Sequence, residues 1–254
     1  MEFAIKEEKG FKYIDEGEGE VLLLLHGLLG ELSNWDGVIN EFKSEYRVIV
    51  PVLPVYEMPI LLTGVKSLTK HVSKFIKHLK LDKFFLVGNS LGGHIALMYA
   101  INKSHQEKIK AMVLAGSSGL YENSFGGSFP RRESYDYIKE KTEFTFYKPE
   151  TATKALVDEV FATLNNRERV IRVIAIAKSC IRHNMASELI KIKIPVGLIW
   201  GRNDRVTPPE VAEDFHERLP NSELHWVDEC GHAPMMEQPE IFNGLFRQFL
   251  DKFK

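Results

Sequence analysis

The chain has 254 residues, 44% of them hydrophobic and 27% charged, an ordinary globular composition with enough length for a sizeable core. A formal charge of −2 gives no reason to expect nucleic acid or an anionic membrane as partner. The aliphatic run Val21 to Leu25 is far too short to cross a bilayer, and the charged stretch Met1 to Glu8 lacks a signal peptide's apolar region, so a cytoplasmic protein without a membrane span is expected.

In chain order, Phe3 to Lys6 and Phe11 to Asp15 alternate apolar and polar residues around Gly10, the pattern of an opening antiparallel hairpin. Val21 to Leu25 is uniformly apolar, as a strand covered on both faces must be. A helix is expected over Asn34 to Phe42 and a strand over Tyr46 to Val50. From Ser67 to Leu81, Leu68, Val72, Phe75, Ile76 and Leu79 fall on one helical face. Lys83 to Val87 reads as a buried strand and Gly93 to Ala100 as a buried helix. Strands follow at Ile109 to Ala115, Ile194 to Trp200 and Glu223 to Val227, with helices at Pro209 to Leu219 and Pro239 to Phe253. Strands alternating with helices place the chain in the α/β class, with a mostly parallel central sheet flanked by helices.

Between about Gly119 and Lys191 this alternation stops. A glycine-rich loop, Ser124 to Pro130, precedes three helical segments with no strand between them: Arg132 to Lys141, Thr151 to Leu164 and Glu168 to His183. The expectation is a helical cap of residues 120–190 inserted between two core strands, the core being residues 1–119 and 191–254. Such a cap would lie over the sheet's C-terminal edge, where open α/β sheets take their ligands. Cys180 and Cys230 are expected as two buried free thiols.

Gly88-Asn89-Ser90-Leu91-Gly92 joins the buried strand to the buried helix. Strand, G-x-S-x-G, helix is the context of a nucleophile elbow, a turn so sharp that the serine is strained and its hydroxyl is thrust clear of the sheet. A serine hydroxyl needs a base to take its proton, usually a histidine oriented by a carboxylate. Downstream, Asp204 falls just past one expected strand and His232 just past the next, so both emerge at the same edge as Ser90. His26-Gly27-Leu28-Leu29-Gly30 directly follows the first core strand. The N–H of Leu28 would join that of Leu91 in an oxyanion hole.

Taken together, these motifs resemble the α/β-hydrolase fold superfamily, in its capped serine-hydrolase branch. The resemblance spans almost the whole chain and implies Ser90 as nucleophile, Asp204 as acid and His232 as base. Gly88-Asn89-Ser90-Leu91-Gly92-Gly93 with Trp200-Gly201-Arg202-Asn203-Asp204-Arg205 is similar to the pattern of meta-cleavage-product hydrolases, and many esterases and acylglycerol lipases carry close variants. Two departures stand out. Such proteins commonly follow the Tyr46–Val50 strand with an Asp and a Gly-x-Gly-x-Ser loop, where this chain has the apolar run Pro51 to Pro59. Carbon–carbon hydrolases commonly place a Trp shortly after the histidine, where this chain has Ala233-Pro234-Met235-Met236.

Other residues have plainer readings. Asp204 is also positioned to cap a helix or pair with Arg205, and Asp228 and Glu229 are rival acids. In resembling proteins His26 is mostly structural, so it stays outside the catalytic set. His71 and His78 read as decoration of a solvated helix face, and His94 as a satisfied interior group. Cys230 has no second Cys or His at ligand spacing, so no metal is expected and no cofactor is required. Met58, Phe125, Met235 and Met236 are candidates to line an acyl pocket or ordinary core. Arg131 and Arg132 read as a solvated charge pair rather than a carboxylate site.

The expected activity is hydrolysis of a carboxylic ester of a small to medium apolar acyl substrate, through an acyl-enzyme on Ser90. The alternatives are a carbon–carbon hydrolase of the meta-cleavage-product type, a lyase using the triad only for proton transfer, and a small-molecule receptor on the same fold with little turnover. Dehalogenases and epoxide hydrolases of this fold use an aspartate where this chain has Ser90. The sequence leaves monomer and homodimer open.

Overall fold

The computed structural model describes residues 3–29, 35–121 and 131–254. Eight strands form one sheet: β1 Lys6–Glu8, β2 Phe11–Glu16, β3 Glu20–Leu25, β4 Tyr46–Pro51, β5 Phe84–Asn89, β6 Ile109–Ala115, β7 Val196–Gly201 and β8 Ser222–Val227. Their order is β1-β2-β4-β3-β5-β6-β7-β8. β1 and β2 form the expected antiparallel hairpin, and β2 runs antiparallel to β4. Every pair from β4 to β8 is parallel. The hairpin's first strand lies at Lys6–Glu8, later than the Phe3 to Lys6 expected, because its pairing is counted outward from the turn at Lys9 and Gly10.

Pleating divides the strand side chains between two apolar layers. Leu23, Leu25, Leu86, Met112 and Leu198 face one layer, which holds α2 Val65–His78, α3 Leu91–Ala100 and α8 Pro209–Arg218. Leu22, Leu24, Val87, Val113 and Ile199 face the other, which holds α1 Asp36–Phe42 and α10 Pro239–Leu250. Both layers bury the strands, which is why these strands are continuously apolar rather than alternating. α3 has nine of its ten residues buried, so its outward face has no polar stripe. Short α4 Lys103–Gln106 and α9 Pro234–Glu237 were not expected from periodicity; one turn carries too few residues to show a period.

From β3 the chain steps to β4 on one side and then crosses to β5 on the other. The C-terminal ends of β3 and β5 are therefore neighbours, with Leu25 paired to Gly88. This reversal opens a crevice at the sheet's C-terminal edge.

Between β6 and β7 lie α5 Tyr135–Glu143, α6 Lys154–Asn165 and α7 Arg167–Arg182. Side-chain caps fix their starts: Ser134 accepts from Tyr137 N, Thr153 from Leu156 N, and Asn166 from Glu168 N and Arg169 N. Ile138, Val160, Leu164, Val170 and Val173 form an apolar cluster of their own. The ends of the segment meet, with Met185 N donating to Gly119 O at 2.7 Å and Asn184 Nδ2 to Leu120 O. The expected loop Ser124 to Pro130, like Gly30 and Asn34, lies outside the described residues.

Candidate active site

Ser90 follows β5 directly and opens α3 with φ 51° and ψ −118°. A left-handed conformation at a residue with a Cβ costs about 1–3 kcal/mol and survives only where the surroundings fix it. Here Ser90 N donates to Ala115 O at 3.2 Å, while Ser90 O accepts from His94 N and Ser118 N at 3.1 Å each. The turn leaves no room at Gly92, where a Cβ would stand 2.1 Å from Leu25 O. Asn89, buried beneath the turn, donates from Nδ2 to Ala115 O at 2.9 Å and to His232 O at 3.2 Å. The residue before the serine thus ties the elbow to the histidine loop, a role that no local pattern revealed.

Asp204 and His232 stand on the loops that follow β7 and β8. His232 Nδ1 lies 2.9 Å from Asp204 Oδ2, and both residues are buried. Val206 N and Thr207 N donate to Asp204 Oδ1 at 2.8 and 2.9 Å, and Thr207 Oγ1 donates to Oδ2 at 2.8 Å. Asp204 therefore caps its own turn and meets the imidazole as well. The Asp204 carboxylate accepts a hydrogen bond from the Nδ1–H of His232, which leaves Nε2 as the ring's acceptor. Arg205 stacks on Phe144, 5.2 Å from the ring centre, instead of pairing with Asp204. Of the rival acids, Asp228 pairs with Arg202 at 2.7 Å and Glu229 is exposed.

Two residues that the sequence did not single out hold this pair. Thr207 bridges it, its Oγ1 also 3.3 Å from His232 Nδ1. Glu237, on α9, accepts from Gly231 N at 2.9 Å, Ala233 N at 3.1 Å and Tyr147 N at 2.7 Å. His232 N in turn donates to Thr145 O at 3.0 Å. The chain between α5 and α6 is thereby fastened to the histidine loop. Burial pushes the Glu237 carboxyl up, against the lowering effect of the three N–H donors. Gly116, at φ +50°, lies against the pair: a Cβ there would be 2.6 Å from His232 O and 3.0 Å from Nδ1.

His26 is structural in the sense expected. Its Nδ1 lies 2.8 Å from Gly27 O and its Nε2 accepts from Leu53 N at 3.0 Å, so the ring carries its proton on Nδ1. Burial lowers its pKa to about 4, which keeps it neutral. The bond to Leu53 ties the Leu28 loop to the apolar run after β4. That run packs Leu53 and Val55 into the core and does not line the cavity described next.

A cavity of about 190 Å³ lies between the sheet edge and the three helices. Ser90, Leu91, Leu28, His232, Ala233 and Met236 line it from the sheet side. Ile138, Leu156, Val160, Leu164, Val173 and Ile176 line it from the helices. Among the described residues, Lys141 is the one Lys, Arg, Asp or Glu that lines it, with Nζ over the rings of Tyr137 and Phe144. Asp204 stands behind His232, outside the lining. Of the other acyl-pocket candidates, Met235 is buried in the core layer that holds α1 and α10, Met58 packs against the opposite layer, and Phe125 lies outside the described residues. Arg131 and Arg132 are exposed and do not reach the cavity.

Cys180 and Cys230 are both buried, and no disulfide joins them. Among the described residues no group of three or more His, Cys, Asp or Glu is arranged to hold a metal ion. His94 Nε2 lies 3.0 Å from His183 O, and burial takes its pKa to about 4, but Nδ1 has no partner among the described residues, so the ring is only half satisfied rather than satisfied as expected. His71 and His78 are partly buried, their rings 5.0 and 5.3 Å from that of Phe11. They differ from the solvated pair expected because β2 lays Phe11 across α2.

Residues 22–245 match the model of the Alpha/beta hydrolase family. Among curated proteins, the chain is 30% identical to the 2-hydroxy-6-oxononadienedioate/2-hydroxy-6-oxononatrienedioate hydrolase of Paraburkholderia phymatum, over 94% of this chain and 90% of that one. It is 26% identical to the pimeloyl-[acyl-carrier protein] methyl ester esterase of Nitrosomonas europaea, over 91% and 95%. Among solved structures, MGS-MChE2, an alpha/beta hydrolase enzyme from the metagenome of lagoon sediments at Mar Chica, Morocco, is 42% identical, with TM-score 0.81 and 98% of each chain covered.

Proposed function

The chain belongs to the alpha/beta hydrolase family, and we propose that it is a serine hydrolase cleaving carboxylic esters of small to medium apolar acids. Ser90 is the nucleophile in this reading. His232 Nε2 takes the hydroxyl proton as Oγ attacks the substrate carbonyl, and Asp204 holds the imidazolium that forms. The N–H groups of Leu28 and Leu91 receive the oxyanion. His232 then protonates the leaving alcohol, and water deprotonated by the same ring releases the acid from Ser90. Residues 120–190 act as a cap that surrounds the acyl chain with aliphatic side chains and excludes bulk water.

The observation that carries this reading is the shared cavity: Ser90 and His232 both open onto it, and Asp204 meets the ring from behind at 2.9 Å. The walls are chiefly aliphatic, which suits an uncharged acyl chain. The test is labelling by a fluorophosphonate probe with Ser90→Ala as control, followed by p-nitrophenyl esters of increasing chain length. Failure of Ser90 to label, or ester turnover that survives Ser90→Ala, would count against it.

Carbon–carbon hydrolysis is a second reading, supported by Lys141 and by the name of the Paraburkholderia relative. A dienoate substrate carries a carboxylate, and Lys141 would meet it. In that case Lys141→Met would raise KM for a ring-fission dienoate at least tenfold, whereas under the ester reading it leaves p-nitrophenyl butyrate turnover within about twofold.

A further inference from the structure

Charge is unevenly spread over this molecule. The whole chain has 33 Lys and Arg against 35 Asp and Glu. From Met58 to Leu81, however, there are five lysines and no acidic residue, and α7 carries five arginines and lysines against the single acid Glu168. The two segments adjoin: Val65 N donates to Ser179 Oγ at 3.1 Å, and Arg172 Nε donates to Met58 O at 2.8 Å. A strongly basic face therefore stands on a chain that is acidic elsewhere. Lys66, Lys70 and Lys178 are exposed, and among the described residues none of them forms an ion pair.

At this face the turn Ile60–Leu62 projects into solvent. Leu61 is 98% exposed, Leu62 62% and Ile60 45%. Leu62 N donates to Pro59 O at 2.8 Å, and Thr63 Oγ1 donates to the same oxygen at 3.0 Å, so the turn is bonded in this shape. Three successive large aliphatic side chains held in water beside unpaired lysines match the chemistry of an anionic lipid surface. Aliphatic groups enter the acyl boundary there while ammonium groups reach the headgroups.

We infer that the face formed by the Ile60–Leu62 turn, α2 and α7 docks on an anionic lipid surface. A second copy of this chain fits poorly, because a two-fold contact would set one basic face against another. Nucleic acid would answer the lysines and leave the aliphatic tip in water. α7 also lines the cavity from its inner side through Val173, Ile176 and Cys180, so a docked molecule holds its cavity beside the lipid.

The test is co-sedimentation of the full chain with vesicles of phosphatidylcholine alone or with about 30 mol % phosphatidylglycerol. The chain should sediment with the anionic vesicles, remain in solution with the neutral ones, and be released as salt rises to about 0.5 M. Leu61→Asp and the pair Lys66→Glu with Lys70→Glu should each lower partitioning about tenfold or more. Hydrolysis of p-nitrophenyl butyrate without lipid should stay unchanged in both. Absence of binding to anionic vesicles would overturn the inference, as would binding that neither variant weakens. A dimer that Leu61→Asp dissolves, with no vesicle binding, would assign the tip to a second copy instead. Sedimentation needs no turnover, so its failure is separate from failure of the esterase reading.

Discussion

Glu237 grips His232 from both sides, accepting from Gly231 N at 2.9 Å and Ala233 N at 3.1 Å. Its third bond, to Tyr147 N, fastens the helical segment to the same loop. Glu237→Gln keeps one acceptor oxygen and turns the other atom into a donor facing N–H groups. Leaving a buried donor unpaired costs about 1–3 kcal/mol. The expected outcome is kcat on p-nitrophenyl butyrate lowered about tenfold with KM nearly unchanged, and a Tm lower by roughly 5 °C. A lowered Tm with full kcat would show that Glu237 serves stability alone.

Asp204 supplies both orientation and charge to His232. Asp204→Asn puts a donor at one of its positions and favours the wrong tautomer, so kcat should fall by about 10³–10⁴ while the protein still folds. Thr207→Val removes the hydroxyl that donates to Asp204 Oδ2 and keeps the carboxylate. Loss of that one bond should lower kcat roughly fivefold. Steady-state kinetics on both variants checks the order; a larger effect from Thr207→Val than from Asp204→Asn would contradict the assigned roles.

Gly116→Ala tests how closely β6 is fitted against the Asp204–His232 pair. The new methyl group would meet His232 O and Nδ1 in a conformation already unfavourable to a Cβ. Stability should fall by about 1–3 kcal/mol and kcat at least tenfold, read from urea unfolding and ester turnover. Unchanged turnover would mean that the loop yields without loss of geometry.

Stability should depend on pH through two buried histidines. His26 and His94 have pKa values lowered by burial to about 4, against an ordinary value of 6.5. Between those values the unfolded chain binds protons that the folded one refuses, so stability falls as pH drops from about 6.5 towards 4. Each histidine contributes up to roughly 3 kcal/mol to that fall. Urea midpoints across this range should show the slope, and His94→Leu should flatten it. A profile unchanged by that substitution would exclude His94 as a source.

Much of the fold was legible because its signals are local. Apolar runs marked β3 as a strand covered on both faces and β5 as a buried strand, and the apolar stripe of α2 showed its buried side. The elbow was legible as a local pattern, and Gly88 answers a steric demand met within a few residues, at Gly92 and Gly93, whereas the demand at Gly92 comes from Leu25 on β3. Chain order then pointed to Asp204 and His232, since each follows a strand that had to end at the same edge.

The sequence by itself determined the element types, the layered α/β plan and the residues to consider for chemistry. Tertiary structure decided who holds them. Asn89 reaches His232 across 143 positions, and Glu237 reaches Tyr147 across 90. His71 and His78 became half-buried because β2, about 60 positions earlier in the chain, lays Phe11 over them. Lysines that look like ordinary solvated charges became one face only when α7 packed beside α2. Such relationships carry no period and no motif, because they arise from which surfaces meet after the elements have formed.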